Sequence, residues 1–188
     1  MSLPEFLARV VAVVERAGVP YMLTGSLASA YYSAPRATQD IDLVIEGSER
    51  DVHALVDGLL DAGCYVDRDA ALDAWRMRGQ FNAIDPERGW KVDLIVRRDR
   101  PFSVQELGRR VAASVLGVEL SLATVEDVIL SKLEWARMGD SELQRRDVVQ
   151  LLERRRGDLD LPYIERWVDI LGIRAEWEAA LRRSSETG

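Results

Sequence analysis

The chain has 188 residues, of which 47% are hydrophobic and 30% are charged, and its formal net charge is −7 at pH 7. This composition is typical of a globular protein, and it excludes a disordered or collagen-like chain. The negative charge excludes a generally basic nucleic-acid-binding surface. No apolar run approaches the roughly 18 residues of a membrane span, and the N-terminus lacks the basic region of a secretory signal. We therefore expect a cytoplasmic protein with no membrane partner.

Cysteine and histidine each occur once, as Cys64 and His53. A single cysteine excludes an intrachain disulfide, and together with a single histidine it excludes the metal centres that several such residues build. Any metal site would have to rest on carboxylates, which favour a hard divalent cation such as magnesium or manganese.

The first half of the chain alternates between helical and strand patterns. We predict helices over 3–17, 26–33 and 51–62, and strands over 20–24 and 41–45. The stretch from 64 to 96 predicts three further strands, at about 64–68, 74–84 and 90–96, with a turn at 85–89. Residues 103–120 predict a short helix followed by a bend around Gly117.

The second half is helical throughout, with predicted helices at 124–138 and 141–156 and two shorter helices after them. The order of elements predicts an α+β (mixed α/β) fold, in which a mixed sheet with flanking helices is followed by a C-terminal helical bundle. We expect a core domain over 1–120 and a helical subdomain over 121–188.

Two short motifs in the first half carry the chemistry. Gly25 and Ser26 lie between a predicted strand and a predicted helix, where backbone N–H groups can bind an anion. Asp40 and Asp42 are two residues apart on a strand, so both carboxylates point to one face. Adjacent carboxylates repel each other unless a cation holds them, and Mg²⁺ prefers oxygen ligands and leaves room for phosphates. A phosphate site beside such a pair indicates chemistry on a nucleoside triphosphate.

A third carboxylate, Asp93, interrupts an apolar strand and shares a face with Lys91. If this strand pairs with the strand of Asp40 and Asp42, three carboxylates converge and can hold two metal ions. Asp93 would then be the general base or its metal-bound equivalent. The alternative is that Asp93 lies on a solvated strand face.

Three segments together resemble the DNA polymerase β-type nucleotidyltransferase superfamily over about residues 18–150. They are Thr24-Gly-Ser-Leu-Ala-Ser-Ala30, Pro35-Arg-Ala-Thr-Gln-Asp-Ile-Asp-Leu43 and Lys91-Val-Asp-Leu-Ile95. Within the superfamily, the chain is similar to small stand-alone members, which include the abortive-infection type toxins of type IV toxin–antitoxin pairs.

The resemblance implies a magnesium-dependent (or manganese-dependent) enzyme that transfers a nucleoside monophosphate from a nucleoside triphosphate to a hydroxyl and releases pyrophosphate. It implies that Gly25 and Ser26 hold the triphosphate, and that Asp40, Asp42 and Asp93 bind metal. The C-terminal helices would close the nucleotide cleft. Arg36 could contact the phosphates as a planar donor, or it could be an exposed loop arginine.

The helical half has two charges on apolar faces. Lys132 lies within an apolar stripe on the helix 124–138, and Asp147 lies within the apolar arc of the next helix. Such charges are unfavourable unless they are paired or face a cleft. One interpretation is a buried Lys132–Asp147 ion pair. The other places Lys132 against the triphosphate with Asp147 orienting it, since the toxin-like nucleotidyltransferases also carry a lysine and a later aspartate in this region.

The acceptor of the nucleotide stays open at this point and could be RNA or tRNA, a protein or a small molecule. The arginines of 145–156 could bind RNA or tRNA, although such residues also form ordinary solvated helix faces, and a toxin would have an antitoxin protein as a partner. The net charge mildly favours a small or cationic acceptor, such as an antibiotic. A non-catalytic nucleotide-binding or interaction module is the third alternative. The oligomeric state is not indicated.

Overall fold

The structure is a computed structural model that describes residues 1–34, 38 and 40–186. The chain divides into two compact units. The first contains residues 1–27 and 37–123, and the second contains residues 28–36 and 124–188.

The described strands form one seven-stranded mixed sheet in the first unit, in the order β3-β4-β5-β2-β1-β7-β6. Their bounds are β1 Tyr21–Thr24, β2 Asp40–Ile45, β3 Tyr65–Val66, β4 Gln80–Ile84, β5 Lys91–Val96, β6 Val111–Val115 and β7 Val118–Leu122. The pairs β2–β5 and β1–β7 are parallel, and the remaining pairs are antiparallel. The predicted mixed α/β fold class is therefore confirmed.

The helices of the first unit cover the sheet with apolar faces. They are α1 Leu3–Arg16, α3 Glu49–Asp61, α4 Arg68–Met77 and α5 Pro101–Arg109, and α2 Gly25–Tyr32 runs from the first unit into the second. Ser48 caps α3, because its side chain accepts a hydrogen bond from the Asp51 N–H and the Asp51 carboxylate accepts one from the Ser48 N–H. This reciprocal capping fixes where α3 begins.

Helix α4 contradicts the sequence prediction, which placed strands over about 64–68 and 74–84. Only Tyr65–Val66 and Gln80–Ile84 are strands, and residues 68–77 are helical. The helix begins because the carboxylate of Asp67 accepts a hydrogen bond from the Ala70 N–H at 3.0 Å. It ends at Arg78, whose φ of 51° is left-handed.

The second unit is helical, as predicted. Its helices are α6 Val125–Gly139, α7 Glu142–Arg155, α8 Leu161–Leu171 and α9 Arg174–Glu186, and Trp167 and Trp177 are almost fully buried in its core. The helical period places Trp135 on the apolar face of α6 and Leu143 on that of α7. This prediction is wrong for both residues, because they are 45% and 46% exposed. Each lies at the margin of its stripe, where a large side chain can turn outwards.

None of the described helices combines the length and the apolarity that crossing a lipid bilayer requires.

Candidate active site

A row of polar residues crosses four neighbouring strands of the sheet. Thr24 of β1 lies opposite Asp42 of β2, Asp42 lies opposite Asp93 of β5, and Asp93 lies opposite Asn82 of β4. Residues in register on adjacent strands point to the same face. The predicted pairing of the Asp93 strand with the Asp42 strand is therefore confirmed, and the two carboxylates are direct neighbours although 50 residues of chain separate them.

The opposite face explains why these acids point outwards. Ile41 and Leu43 are fully buried, as are Val92 and Leu94 on β5. Strand residues alternate between faces, so burying these four side chains in the core forces the carboxylates onto the other side. Shifting either strand by one residue would put an aspartate into the apolar core.

Gly25 lies directly against this row. Its φ is +65°, and a β-carbon built on it would be 2.0 Å from Oδ2 of Asp42. The backbone at the start of α2 thus approaches a carboxylate more closely than any residue with a side chain allows. Ser26 follows in the first turn of the helix, where N–H groups point away from the helix body.

Lys91 lies on the same face as the acids. Its Nζ is 2.8 Å from Oδ2 of Asp93 and 3.7 Å from Oδ1 of Asp40, which is its register partner on β2. The hydrogen bond to Asp93 raises the pKa of the Lys91 ammonium, and the charges of Asp93, Asp40 and Asp42 act in the same direction against a smaller effect of burial. Lys91 therefore carries a positive charge at neutral pH.

The chemistry of this donor set suits a hard divalent cation, because carboxylate oxygens are the ligands that magnesium and manganese prefer. Within 1–34, 38 and 40–186, no group of three or more Asp, Glu, His or Cys side chains is arranged so that it could hold a metal ion. Asp93 and Asp40 instead face the ammonium of Lys91. The roles of Asp40, Asp42 and Asp93 as metal ligands stay a prediction.

Arg36, predicted as a phosphate-binding residue, lies outside the described residues. Asn82 and Thr24 lie at the site because the strand register places them opposite Asp93 and Asp42. The sequence carries no spacing signal that could have paired Thr24 with Asp42, because these residues belong to different segments.

The second unit contains the other predicted residues. Nζ of Lys132 is 2.7 Å from Oδ2 of Asp147 and 2.9 Å from Oε1 of Gln144, and the side chains of Lys132 and Asp147 are 3% and 4% exposed. The ion pair that the apolar faces predicted is present, and it links α6 to α7. Whether Lys132 also binds phosphate stays a prediction.

Sequence reasoning missed a further buried contact in this unit. The hydroxyl of Tyr163 donates a 2.5 Å hydrogen bond to Oδ1 of Asp127, while Oδ2 of Asp127 accepts one from the hydroxyl of Thr124. The N–H of Asp127 also donates to the hydroxyl of Thr124, the capping residue of α6. The fully buried position of Asp127 is a signal of a second partner, because a buried carboxylate requires more than one hydrogen bond.

The arginines of 145–156 are largely engaged inside the second unit. Arg145 pairs with Asp140, Arg155 donates to the carbonyl of Tyr32, and Arg156 donates to the hydroxyl of Ser184. These contacts fit the ordinary structural role that was the alternative to an RNA-binding patch.

No protein-family profile matches the chain, and no curated protein sequence matches it significantly. The fold has clear relatives. ANT(2″)-Ia, solved in complex with adenylyl-2″-tobramycin, is similar over 93% of this chain and 99% of that chain, with 15% identity and a TM-score of 0.62.

Two other solved structures are also similar. An antigenic nucleotidyltransferase-like protein from Paracoccidioides brasiliensis covers 95% of this chain and 92% of its own, with 15% identity and a TM-score of 0.56. The lincosamide antibiotic adenylyltransferase LnuA, with lincomycin bound, covers 80% and 96%, with 13% identity and a TM-score of 0.53. The chain therefore shares the fold of these nucleotidyltransferases, which is the fold that the predicted resemblance implied.

Proposed function

We propose that this protein is a divalent-metal-dependent nucleotidyltransferase that moves a nucleoside monophosphate from a nucleoside triphosphate to a hydroxyl group of a small molecule. The observation that carries the proposal is the register pairing of Asp42 with Asp93, next to the close approach of Gly25 to Asp42. It brings two carboxylates and the start of a helix together on one face of a sheet with this fold.

The first step that the residues perform is binding. Backbone N–H groups at the start of α2, from Gly25 and Ser26, would bind phosphate oxygens, because a helix N-terminus favours negative charge. Asp40, Asp42 and Asp93 would hold magnesium or manganese. When bound, such an ion neutralises phosphate charge and lowers the pKa of a coordinated hydroxyl.

The second step is transfer. The acceptor oxygen attacks the α-phosphorus and forms a new P–O bond, while the bond from the α-phosphorus to the bridging oxygen breaks and pyrophosphate leaves. Asp93 would accept the proton of the acceptor hydroxyl as the general base. Its side chain is 15% exposed, so it remains reachable while bulk water is largely kept from it.

Lys132 and Asp147 enter the proposal through their chemistry. An ammonium ion can bind the oxygens of a triphosphate as a point charge, and Asp147 would hold Lys132 in position until nucleotide binds. Arg36 would add a planar donor.

A small molecule is the favoured acceptor class for two reasons. ANT(2″)-Ia with adenylyl-2″-tobramycin and LnuA with lincomycin are similar to this chain over most of both lengths. The net charge of −7 also favours a neutral or cationic acceptor over a polyanion.

The test is incubation of the protein with each of the four α-³²P-labelled nucleoside triphosphates, with MgCl₂ or MnCl₂, and with one of three acceptors. The acceptors are tobramycin, lincomycin and total tRNA. We expect label in a small-molecule product, and a loss of about 100-fold or more in Asp42→Asn and Asp93→Asn. Asp61→Asn, an exposed change in the last turn of α3, is the matched control and should stay active.

The remaining outcomes identify the alternatives. Label in tRNA would replace the small-molecule acceptor with an RNA acceptor and would favour the toxin hypothesis, in which an antitoxin protein is the partner. No label in any product, together with metal-dependent nucleotide binding in calorimetry, would indicate a non-catalytic nucleotide-binding module. If the protein shows no transfer and also binds no nucleotide, the proposal is contradicted outright.

A further inference from the structure

The ammonium of Lys91 lies among the carboxylates of the sheet, where a metal ion would otherwise compensate their charge. On β2 and β5, Asp40 is paired with Lys91 and Asp42 with Asp93, so the four side chains occupy a two-by-two arrangement on one face. The ammonium contacts Asp93 at 2.8 Å and Asp40 at 3.7 Å. Two carboxylates thus contact one positive charge that belongs to the chain itself, and the charge of a third, Asp42, acts on it as well.

This contact satisfies the same electrostatic need that a metal ion would satisfy. Carboxylates this close repel one another unless a cation compensates them. The ammonium of Lys91 uses an oxygen of Asp93, one of the predicted metal ligands. An ammonium and a metal ion on the same carboxylate repel each other, so the two cations compete for Asp93.

The residue type is informative because lysine is rare here. The chain has 25 lysines and arginines together, and lysine occurs only at positions 91 and 132. An arginine at position 91 could hold a carboxylate through two parallel hydrogen bonds, whereas a lysine holds it through a single point charge on a flexible stem. Lysine is the cation that can leave a carboxylate more readily.

We propose that Lys91 is an internal counter-ion that occupies the acidic site in the absence of metal, is displaced from Asp93 when a divalent cation binds, and thereby sets the metal affinity of the site. This role rests on the proposed function, because it assumes that the carboxylates bind metal. Lys91 is a positioning residue that acts through Asp93.

The experiment is calorimetric titration of the intact protein with MnCl₂ alone at constant ionic strength. The variants are Lys91→Met, which removes the competing charge, and Lys91→Arg, which strengthens its hold. Lys91→Met should bind Mn²⁺ about tenfold more tightly than the unmodified chain, and Lys91→Arg several-fold more weakly. Arg88→Met, in the turn before β5, removes the same net charge and should change the affinity by less than about twofold.

Thermal unfolding provides an independent measurement on the same proteins. Without metal, Lys91→Met should melt at a lower temperature than the unmodified chain, since the three carboxylates lose their counter-ion. Saturating MnCl₂ should raise its melting temperature by more than it raises that of the unmodified chain, because tighter binding to the native state stabilises it more. Lys91→Arg keeps the charge and serves as the folding control.

Two results would overturn the inference, and they can be told apart. Equal Mn²⁺ affinity in all three residue-91 proteins, with Asp42→Ala abolishing binding, would show that the site binds metal without competition, and the proposed function would stand. Absence of Mn²⁺ binding in every protein, Lys91→Met included, would remove the metal site and the proposed function with it.

Discussion

Gly25 and Asp42 approach each other so closely that a β-carbon on Gly25 would lie 2.0 Å from Oδ2 of Asp42. The glycine is required there twice, by its left-handed φ of +65° and by the carboxylate beside it. Any side chain at position 25 must move the side chain of Asp42, which lies in register with Asp93 on the neighbouring strand.

We therefore expect Gly25→Ala to lower nucleotidyl transfer by about 100-fold, because a displacement of about 1 Å at a reacting group has effects of that size. The measurement is the rate of label transfer under saturating nucleotide. Gly18→Ala is the matched control: its φ is +68°, so it carries the same backbone strain, but a β-carbon there meets nothing within 4 Å. Equal losses in both variants would attribute the effect to backbone strain alone.

The buried Lys132–Asp147 pair predicts a non-additive effect on stability. Lys132→Met leaves the carboxylate of Asp147 buried without its counter-ion, which should lower the free energy of unfolding by about 3–5 kcal/mol. The double variant Lys132→Met with Asp147→Leu removes both charges and should recover most of that loss. Urea unfolding monitored by circular dichroism measures all four corners of the cycle. A single variant as stable as the unmodified chain would contradict the geometry.

The same double variant separates the two interpretations of Lys132. If Lys132 has only a structural role, the stable double variant should bind nucleoside triphosphate as tightly as the unmodified chain. If the ammonium binds phosphate, its loss should weaken nucleotide affinity by about tenfold or more, because a charge-assisted contact is removed. Calorimetric titration with a nucleoside triphosphate and MgCl₂ measures the difference.

Glu165 predicts a pH dependence of stability in the second unit. The guanidinium of Arg174 and the indole N–H of Trp177 both donate to its carboxylate, and these contacts hold the pKa of Glu165 below its ordinary value of 4.5. A carboxyl whose pKa is lowered by folding stabilises the protein above its ordinary pKa, and this contribution disappears as the pH falls through the lowered value.

Glu165→Gln should therefore lower the melting temperature at pH 7 by about 2 °C, and the gap should close as the pH falls below 4.5 and through the lowered pKa of Glu165. The effect is small because the Glu165 side chain is 44% exposed and solvent screens the pair. Melting curves between pH 3 and pH 7 test it. Glu153→Gln, an exposed change on α7, is the matched control variant. A gap for Glu165→Gln that stays constant as the pH falls would refute the linkage.

The cap of α4 predicts a local stability effect. Asp67→Ala removes the acceptor for the Ala70 N–H and should lower the free energy of unfolding by about 1 kcal/mol. Asp69→Ala removes an acidic residue from the same first turn without touching this hydrogen bond, so it should cost less. Urea unfolding compares the two. Equal losses would mean that charge near the helix terminus, and not capping, supports α4.

Most of the fold could be predicted from the period of the hydrophobic residues and from the residues that begin and end helices and strands. Helix α4 shows where this prediction fails. Its buried face consists of Ala71 and Ala74, whose small side chains give almost no hydrophobic period. Trp75 and Met77 then dominate the hydrophobic pattern, which predicts a strand in place of the end of this helix. The capping residue Asp67 was the available signal, but a single aspartate also fits a turn.

The candidate site likewise has a part that the sequence pattern predicts and a part that it does not. The period of two places Asp40 with Asp42, and Lys91 with Asp93, on common faces, and this needs no tertiary information. The order of strands in a sheet is a non-local property that the sequence period does not encode. The pairing of Asp42 with Asp93 depends on that order, so the sequence predicts it only on the condition that β2 and β5 are neighbours. The contact between Lys91 and Asp93 depends on side-chain direction, which the pattern does not encode.

The scarcity of lysine gives this protein a built-in chemical reporter. Amine-acylating reagents modify lysine side chains, and the two that the chain offers differ sharply in accessibility: Lys91 is 34% exposed, whereas Lys132 is 3% exposed. Of the side chains of the folded protein, acylation is therefore expected mainly at Lys91, which lies on the same strand as Asp93. Peptide mass spectrometry can follow that modification in unmutated, untagged protein, so the environment of the acidic cluster can be monitored directly as solution conditions change.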